Sequence, residues 1–255
     1  MPGKSFAIIV ASPRARTGKT LLARLIAEHF LLQGANPQLF DTDAAERKLA
    51  SYFPDRTAVV NLERVPDQMK LFDRPAAPDP DTQVIDLTHR SFQKFFQMME
   101  EIDYPAETRA LGIAPAIFYL PARDADSHEQ GRLLRERFDD CSFVVVENAA
   151  LGEIAREARQ SQAYGALRAQ PLRLSLPQID PFFAGAIDDA RLSLSDFLRQ
   201  PQTRPPTSRL PFAYLSLEAR AAITAWLKQS FREIGRIFDA LASRAEPSSG
   251  EAARF

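Results

Sequence analysis

The chain has 255 residues, 45% of them hydrophobic and 25% charged, with a formal net charge of −1. This length allows one large α/β domain, or a domain with an added helical segment, and the balanced charge supplies no global attraction to nucleic acid. A single cysteine rules out a disulfide framework or a thiolate metal site, and no apolar run approaches the ~18 residues a membrane-spanning helix needs.

Taken in order, the first organised stretch is the apolar run Phe6-Ala7-Ile8-Ile9-Val10, then the turn Ser12 to Thr20, then Leu21-Leu22-Ala23-Arg24-Leu25-Ile26. This reads as strand, phosphate loop and helix. In such a loop backbone N–H groups, here those of Arg16, Thr17, Gly18, Lys19, Thr20 and Leu21, wrap the phosphates of a nucleotide. The lysine, Lys19, reaches the outer phosphates, and the last hydroxyl, Thr20, ligates Mg²⁺. The pattern G-x-x-x-x-G-K-[ST] is incomplete, because Pro13 stands at its first glycine and offers neither an N–H nor positive φ.

Gly34 and Pro37 end the first helix, and the strand Gln38-Leu39-Phe40 then runs into Asp41-Thr42-Asp43. Two aspartates at the carboxyl end of a parallel strand lie where doubly wound sheets bind ligands, although Asp43 could equally cap a helix over 44–52. A strand is expected at 59–62 and a proline-rich loop at 74–80. The next clear strand, Gln83 to Thr88, carries Asp86 as a second magnesium-site carboxylate holding a metal-bound water.

Phe92, Phe95, Phe96 and Met99 predict a helix with a core-facing stripe. Ile113 to Leu120 predicts a strand, residues 124–127 a loop of capping carboxylates, and 129–137 a helix. Phe143 to Asn148 is the clearest β-run. Asn148 can pair with a base edge or simply form a turn. Cys141, just before that run, is expected to be a buried structural thiol, and the scattered His29, His89 and His128 to be structural or solvated. A helix over 153–160, a strand over 172–176 and a loop from Pro177 to Pro181 complete the alternation. Strands alternating with helices imply a mostly parallel sheet with right-handed crossovers.

Beyond Phe182 the chain reads as helical and peripheral, with an exposed linker at 200–207. Ser216 is expected to cap a long helix to about Ala242, whose stripe Ile223, Trp226, Leu227, Ile234, Ile237, Phe238 and Leu241 packs on its own sheet. The expected organisation is a single domain over 1–245, with a core at 5–190 and a helical extension at 191–245, followed by a disordered tail at 246–255. The N-terminus lacks the apolar core of a signal peptide, so the cytoplasm is the expected compartment.

With strand, loop, Asp-x-Asp, apolar-Asp and apolar-Asn in this order, the chain resembles the ParA/MinD family of deviant phosphate-loop ATPases, including the TraL- and StbB-like proteins of plasmid transfer and partition. The resemblance covers roughly residues 5–190 and implies a three-layer α/β P-loop NTPase fold with a helical extension. The family loop reads K-G-G-x-G-K-[ST]. Aligned on Gly18-Lys19-Thr20, it puts Arg14 at the signature lysine, and Ala15 and Arg16 at two glycines. It further implies that Arg14 reaches a dimer partner's phosphates and that Asp43 positions the attacking water. Asp41 and Asp86 would support Mg²⁺ with Thr20 ligating it, while Asn148 and the loop from Pro177 would hold the adenine of ATP.

Family members cycle between ATP-bound dimers and ADP monomers to move or place DNA, plasmids or protein complexes. The expected activity is therefore a slow ATPase working as a nucleotide-dependent homodimer, with a partner protein and DNA as further contacts. A degenerate, nucleotide-free scaffold is the alternative that Pro13, Ala15 and Arg16 motivate. A metabolic ATP-dependent enzyme would need a substrate constellation that the sequence does not display.

Overall fold

The computed structural model describes residues 4–73, 82–190, 193–199 and 216–244. The loop expected at 74–80, the linker at 200–207 and the tail at 246–255 lie outside the described residues. The strands are β1 Ser5–Ala11, β2 Gln38–Asp41, β3 Thr57–Val59, β4 Gln83–Asp86, β5 Ile113–Tyr119, β6 Ser142–Asn148 and β7 Arg173–Leu176. Between and after them run α1 Lys19–Leu32, α2 Lys48–Tyr52, α3 Val65–Phe72, α4 Phe92–Glu101, α5 Tyr104–Ala110 and α6 Ala125–Arg137. They are followed by α7 Arg156–Arg159, α8 Gln162–Arg168, α9 Pro181–Ala190, α10 Leu194–Arg199 and α11 Leu217–Arg244.

All seven strands among the described residues are parallel, in the order β3-β2-β4-β1-β5-β6-β7. Parallel pairing needs crossovers, and the helices that make them cover both faces. β1 shows the consequence directly. Phe6, Ile8 and Val10 point into one buried cluster with α1, α10 and α11, while Ala7, Ile9 and Ala11 point into another with α3, α4, α5, α6 and α8. A strand apolar on both sides belongs at the centre of such a sheet. There the chain turns from one half of the sheet to the other, and the crevice outside the carboxyl ends is the ligand-binding position.

Register then fixes the site. Asp41 of β2 stands opposite Asp86 of β4, and Val10 of β1 is also opposite Asp86. Both carboxylates therefore end their strands at one level, beside the loop that follows β1.

Several elements differ from the sequence expectation. The helix over 44–52 is confined to Lys48–Tyr52, because the Asp43 carboxylate takes the N–H groups of Ala45 and Glu46 into a turn and Arg47 adopts positive φ. β3 lies at Thr57–Val59 rather than 59–62, and the helix over 153–160 shrinks to Arg156–Arg159. Ser161 instead caps a separate helix, α8, by accepting from the Tyr164 N–H. The helix expected at 129 begins at Ala125, capped by Asp124. α3 and α5 were not expected from the periodicity; each carries proline in its first turn.

The last helix begins as expected, with Ser216 Oγ accepting from the Ala219 N–H. Its apolar stripe packs on the sheet as expected, so the helix is not peripheral. Ile223, Trp226, Leu227, Ile234, Ile237, Phe238 and Leu241 are buried, and Phe238 packs edge-on against Phe6 and Phe30. No helix among the described residues is long and apolar enough to cross a membrane.

Candidate nucleotide-binding site

A cleft of about 830 Å³ opens at the carboxyl ends of the central strands. Its floor is the loop between β1 and α1, and its walls come from the ends of β2 and β4 and from α2, α9 and α11. Of the residues singled out in the sequence, Arg16, Thr17, Gly18, Lys19, Thr20, Leu21, Asp41, Asp43 and Asp86 line this one cleft. Arg14, Asn148 and Pro177 lie beside it and act through the loop or its neighbours.

The loop requires unusual backbone at two places. Gly18 has φ 96°, and a Cβ there would come within 2.5 Å of Asn148 Nδ2. The reason is that Asn148 Nδ2 donates to the carbonyl of Thr17 at 3.0 Å while its Oδ1 accepts from the Ala150 N–H. Both polar ends of Asn148 are thus engaged with the protein, and the side chain clamps the loop from behind. Arg16 has φ 57°, a left-handed conformation that costs a non-glycine residue roughly 1–2 kcal/mol.

Lys19 is buried, and its Nζ donates to the carbonyl of Arg14 at 2.6 Å, closing the loop on itself. Burial lowers its pKa to about 8 against the opposing pull of Asp86 and Asp43. Thr20 Oγ1 donates to Asp86 Oδ2 at 2.6 Å. The Asp86 carboxyl is pushed up to about 7, first by burial and then by Asp41, with the Thr20 hydrogen bond acting against both. Asp41 is also raised by burial, although its oxygens accept from the N–H groups of Asp43 and Ala50.

Asp43 is half-buried. Desolvation alone would raise its pKa, but the N–H groups of Glu46 and Ala45 and the Thr88 hydroxyl outweigh it and hold the carboxyl below its ordinary value. Thr42 ties the two strand ends together: its hydroxyl donates to the Asp86 carbonyl and accepts from the Thr88 N–H.

Arg14 points away from the loop centre and pairs with Asp124 and Asp126 at 2.9 and 2.8 Å. Those carboxylates raise its pKa, chiefly through the Asp124 hydrogen bond. Pro177 contributes its carbonyl, which accepts from Trp226 Nε1–H at 2.8 Å and so fixes α11 against the loop after β7. Ile179 and Trp226 are the apolar wall at that end.

The sequence reading missed the opposite end of the cleft. Arg24, buried on α1, lies over the Tyr52 ring at 3.8 Å and 3.6 Å from Asp188, and the Tyr52 hydroxyl donates to that same carboxylate. Arg24 and Glu28 stand one turn apart inside an otherwise apolar segment. That pair is the signal a sequence could have offered, since charges on a buried face need built partners.

The donor set can be tested against a nucleotide and Mg²⁺. The Thr17 hydroxyl is buried in the cleft lining without a hydrogen-bond partner among the described residues, an orphan that a phosphate oxygen or water would satisfy. Thr20 and Asp86 offer hard oxygen donors side by side. Among the described residues no three His, Cys, Asp or Glu side chains are grouped to hold a metal. A cation here would therefore rely on phosphate oxygens and water for the rest of its shell, as Mg²⁺ commonly does. The residues fit the pair.

No protein-family model and no curated protein sequence matches the chain. Solved structures do. A nucleotide-binding protein from Archaeoglobus fulgidus in complex with ADP is similar at a TM-score of 0.50 and 17% identity, over 73% of this chain and 86% of that one. MinD in the MinC:MinD cell division complex of Aquifex aeolicus gives a TM-score of 0.49 at 14% identity, over 91% and 96%. A single-substitution variant of McdA from Cyanothece, in complex with ATP, gives 0.43 at 14%, over 89% and 97%. The architecture is the three-layer α/β P-loop NTPase fold, and the first of these likenesses is one of fold.

Proposed function

We propose that this chain is a ParA/MinD-like nucleotide-binding protein that binds Mg·ATP in the cleft, hydrolyses it slowly, and uses an ATP-dependent homodimer as a switch in DNA or plasmid partition, conjugative transfer or protein positioning. The observation that carries the reading is the pairing of Thr20 with Asp86 at 2.6 Å beside the buried Lys19, at the end of a strand–loop–helix unit. That the structurally similar archaeal protein holds ADP supports nucleotide as the ligand.

In this reading the N–H groups of the loop and Lys19 neutralise the phosphates, exchanging the Lys19–Arg14 carbonyl bond for a phosphate oxygen. Thr20 and Asp86, with Asp41 behind, would hold Mg²⁺, which would supply neutralisation of phosphate charge. Asp43, ionised at neutral pH, orients water toward the terminal phosphate. Asn148 keeps the loop in shape, and the segment from Pro177 to Ile179 borders the base. With no covalent chemistry supplied by the chain, catalysis rests on positioning and electrostatics, which is why turnover is slow.

Size-exclusion chromatography with light scattering tests the switch. Wild type and Asp43→Ala should both dimerise only with Mg·ATP, and turnover should be lost in Lys19→Ala and fall in Asp43→Ala. Absence of turnover and of dimers under every condition would refute the reading. A second reading, a scaffold that works without nucleotide, is favoured by one observation: Arg14 is held by two carboxylates of its own chain. It predicts undiminished cellular function in Lys19→Ala.

A further inference from the structure

We infer that Arg16, rather than Arg14, supplies the guanidinium that distinguishes ATP from ADP in this chain's own cleft. The inference rests on the nucleotide-binding reading above. Two arginines flank the turn of the phosphate loop, and they are placed differently. Arg14 is turned outward and doubly paired with Asp124 and Asp126, one of which also caps α6 through the Ser127 N–H. Moving Arg14 to a phosphate would break two ion pairs at once.

Arg16 lines the cleft three residues before Lys19, is exposed, and has no ion pair among the described residues. Its side chain is free to swing without forfeiting an interaction. Its backbone is left-handed, where glycine would be at ease and arginine is strained. A long cationic side chain held at such a position on the rim of a phosphate loop is suited to close over the outermost phosphate.

The remaining cations of the cleft are engaged otherwise, Arg24 being buried against Tyr52 and Asp188. Lys19 reaches the phosphates from inside the loop, where it serves any nucleotide, Lys48 is paired with Glu46, and Arg90 bears on Asp43 from the far wall. ATP carries one phosphate and one negative charge more than ADP, beyond the reach of the inner loop amides. A planar guanidinium can meet two oxygens of that group together.

The test is calorimetric titration of Mg·ATP and Mg·ADP into wild type, Arg16→Ala, Arg16→Gly, Arg14→Ala and Arg90→Ala, at protein concentrations where light scattering shows monomer. Loss of a charge-assisted phosphate contact is expected to weaken ATP by about 10- to 100-fold in Arg16→Ala and Arg16→Gly while ADP changes less than about threefold. Arg16→Gly should also melt no lower than wild type, which separates lost contact from lost fold. Arg14→Ala should leave the ATP/ADP ratio unchanged. An unchanged ratio in both Arg16 variants, or a ratio lost only in Arg90→Ala or Arg14→Ala, overturns the inference while nucleotide binding stands. Wild type that binds neither nucleotide overturns the underlying reading as well.

Discussion

Asp86 shows how a residue that suits a ligand burdens the empty protein. Its carboxyl has a pKa of about 7 in the fold, against an ordinary carboxylate in the unfolded chain. Between those values the native state binds the extra proton, so stability falls as pH rises from about 4 to 7, and the penalty is complete above 7. Asp86→Asn should therefore raise the melting temperature of the ligand-free protein at pH 8, by about 1–3 kcal/mol in stability, with the gain shrinking toward pH 4. The gain is held below its full size because Lys19 loses its largest opposing charge. Thermal melts of both proteins at three pH values check this; a uniform shift at all of them would contradict the burial argument. By the same sign, Mg²⁺, which requires the ionised carboxylate, should bind more weakly as pH drops below 7.

Gly18 carries the sharpest steric requirement. Gly18→Ala combines positive φ with a clash against Asn148, and should cost about 2–4 kcal/mol and disorder the loop. Asn148→Ala removes the obstacle and the clamp together, so the double variant should be less destabilised than the sum of the singles. Denaturant titration of the four proteins reads that coupling; strict additivity would mean that the two residues do not meet. Here the sequence was legible only in part. Gly18-Lys19-Thr20 announced the loop, but nothing adjacent to Asn148 reveals that its amide is committed to Thr17, a contact across 131 positions.

At the scale of elements, continuous apolar runs named β1, β4, β5 and β6 because strands buried on both faces need no polar alternation. What escaped were short helices whose signals are local start residues rather than periodicity: α3 and α5 carry proline in the first turn, and α8 is capped by Ser161. α10 depends on a distant residue. Glu28, buried on α1, accepts from the N–H groups of Leu194 and Ser195 and from the Ser193 hydroxyl. Glu28→Ala would strand two buried donors and should cost about 2–4 kcal/mol, whereas Ser216→Ala at the α11 cap should cost only about 1. Hydrogen exchange should show the Glu28 change first as lost protection at Leu194 and Ser195; unchanged protection there would refute the capping role.

For the whole molecule, the order β3-β2-β4-β1-β5-β6-β7 brings residues from positions 15 to 226 around one cleft. Chain order could place Asp41, Asp43 and Asp86 at strand ends, but only the register of β2 on β4 sets two carboxylates opposite each other. The Arg24–Tyr52–Asp188 corner draws on α1, α2 and α9, and Trp226 adds α11, so a segment read as a peripheral extension turns out to form one wall of the site. A protein assembled this way should be stabilised by its ligand as a unit, with the melting temperature rising with Mg·ATP concentration.

The most direct measurement is titration of Mg·ATP into wild type and Lys19→Ala by calorimetry, with circular dichroism confirming that both are folded. One site per chain in the wild type, weakened at least about 100-fold in the variant, is the predicted result, since Lys19 is the buried cation at the centre of the loop. Equal heats from the two proteins, or none from either, would contradict the assignment of this cleft to a nucleotide.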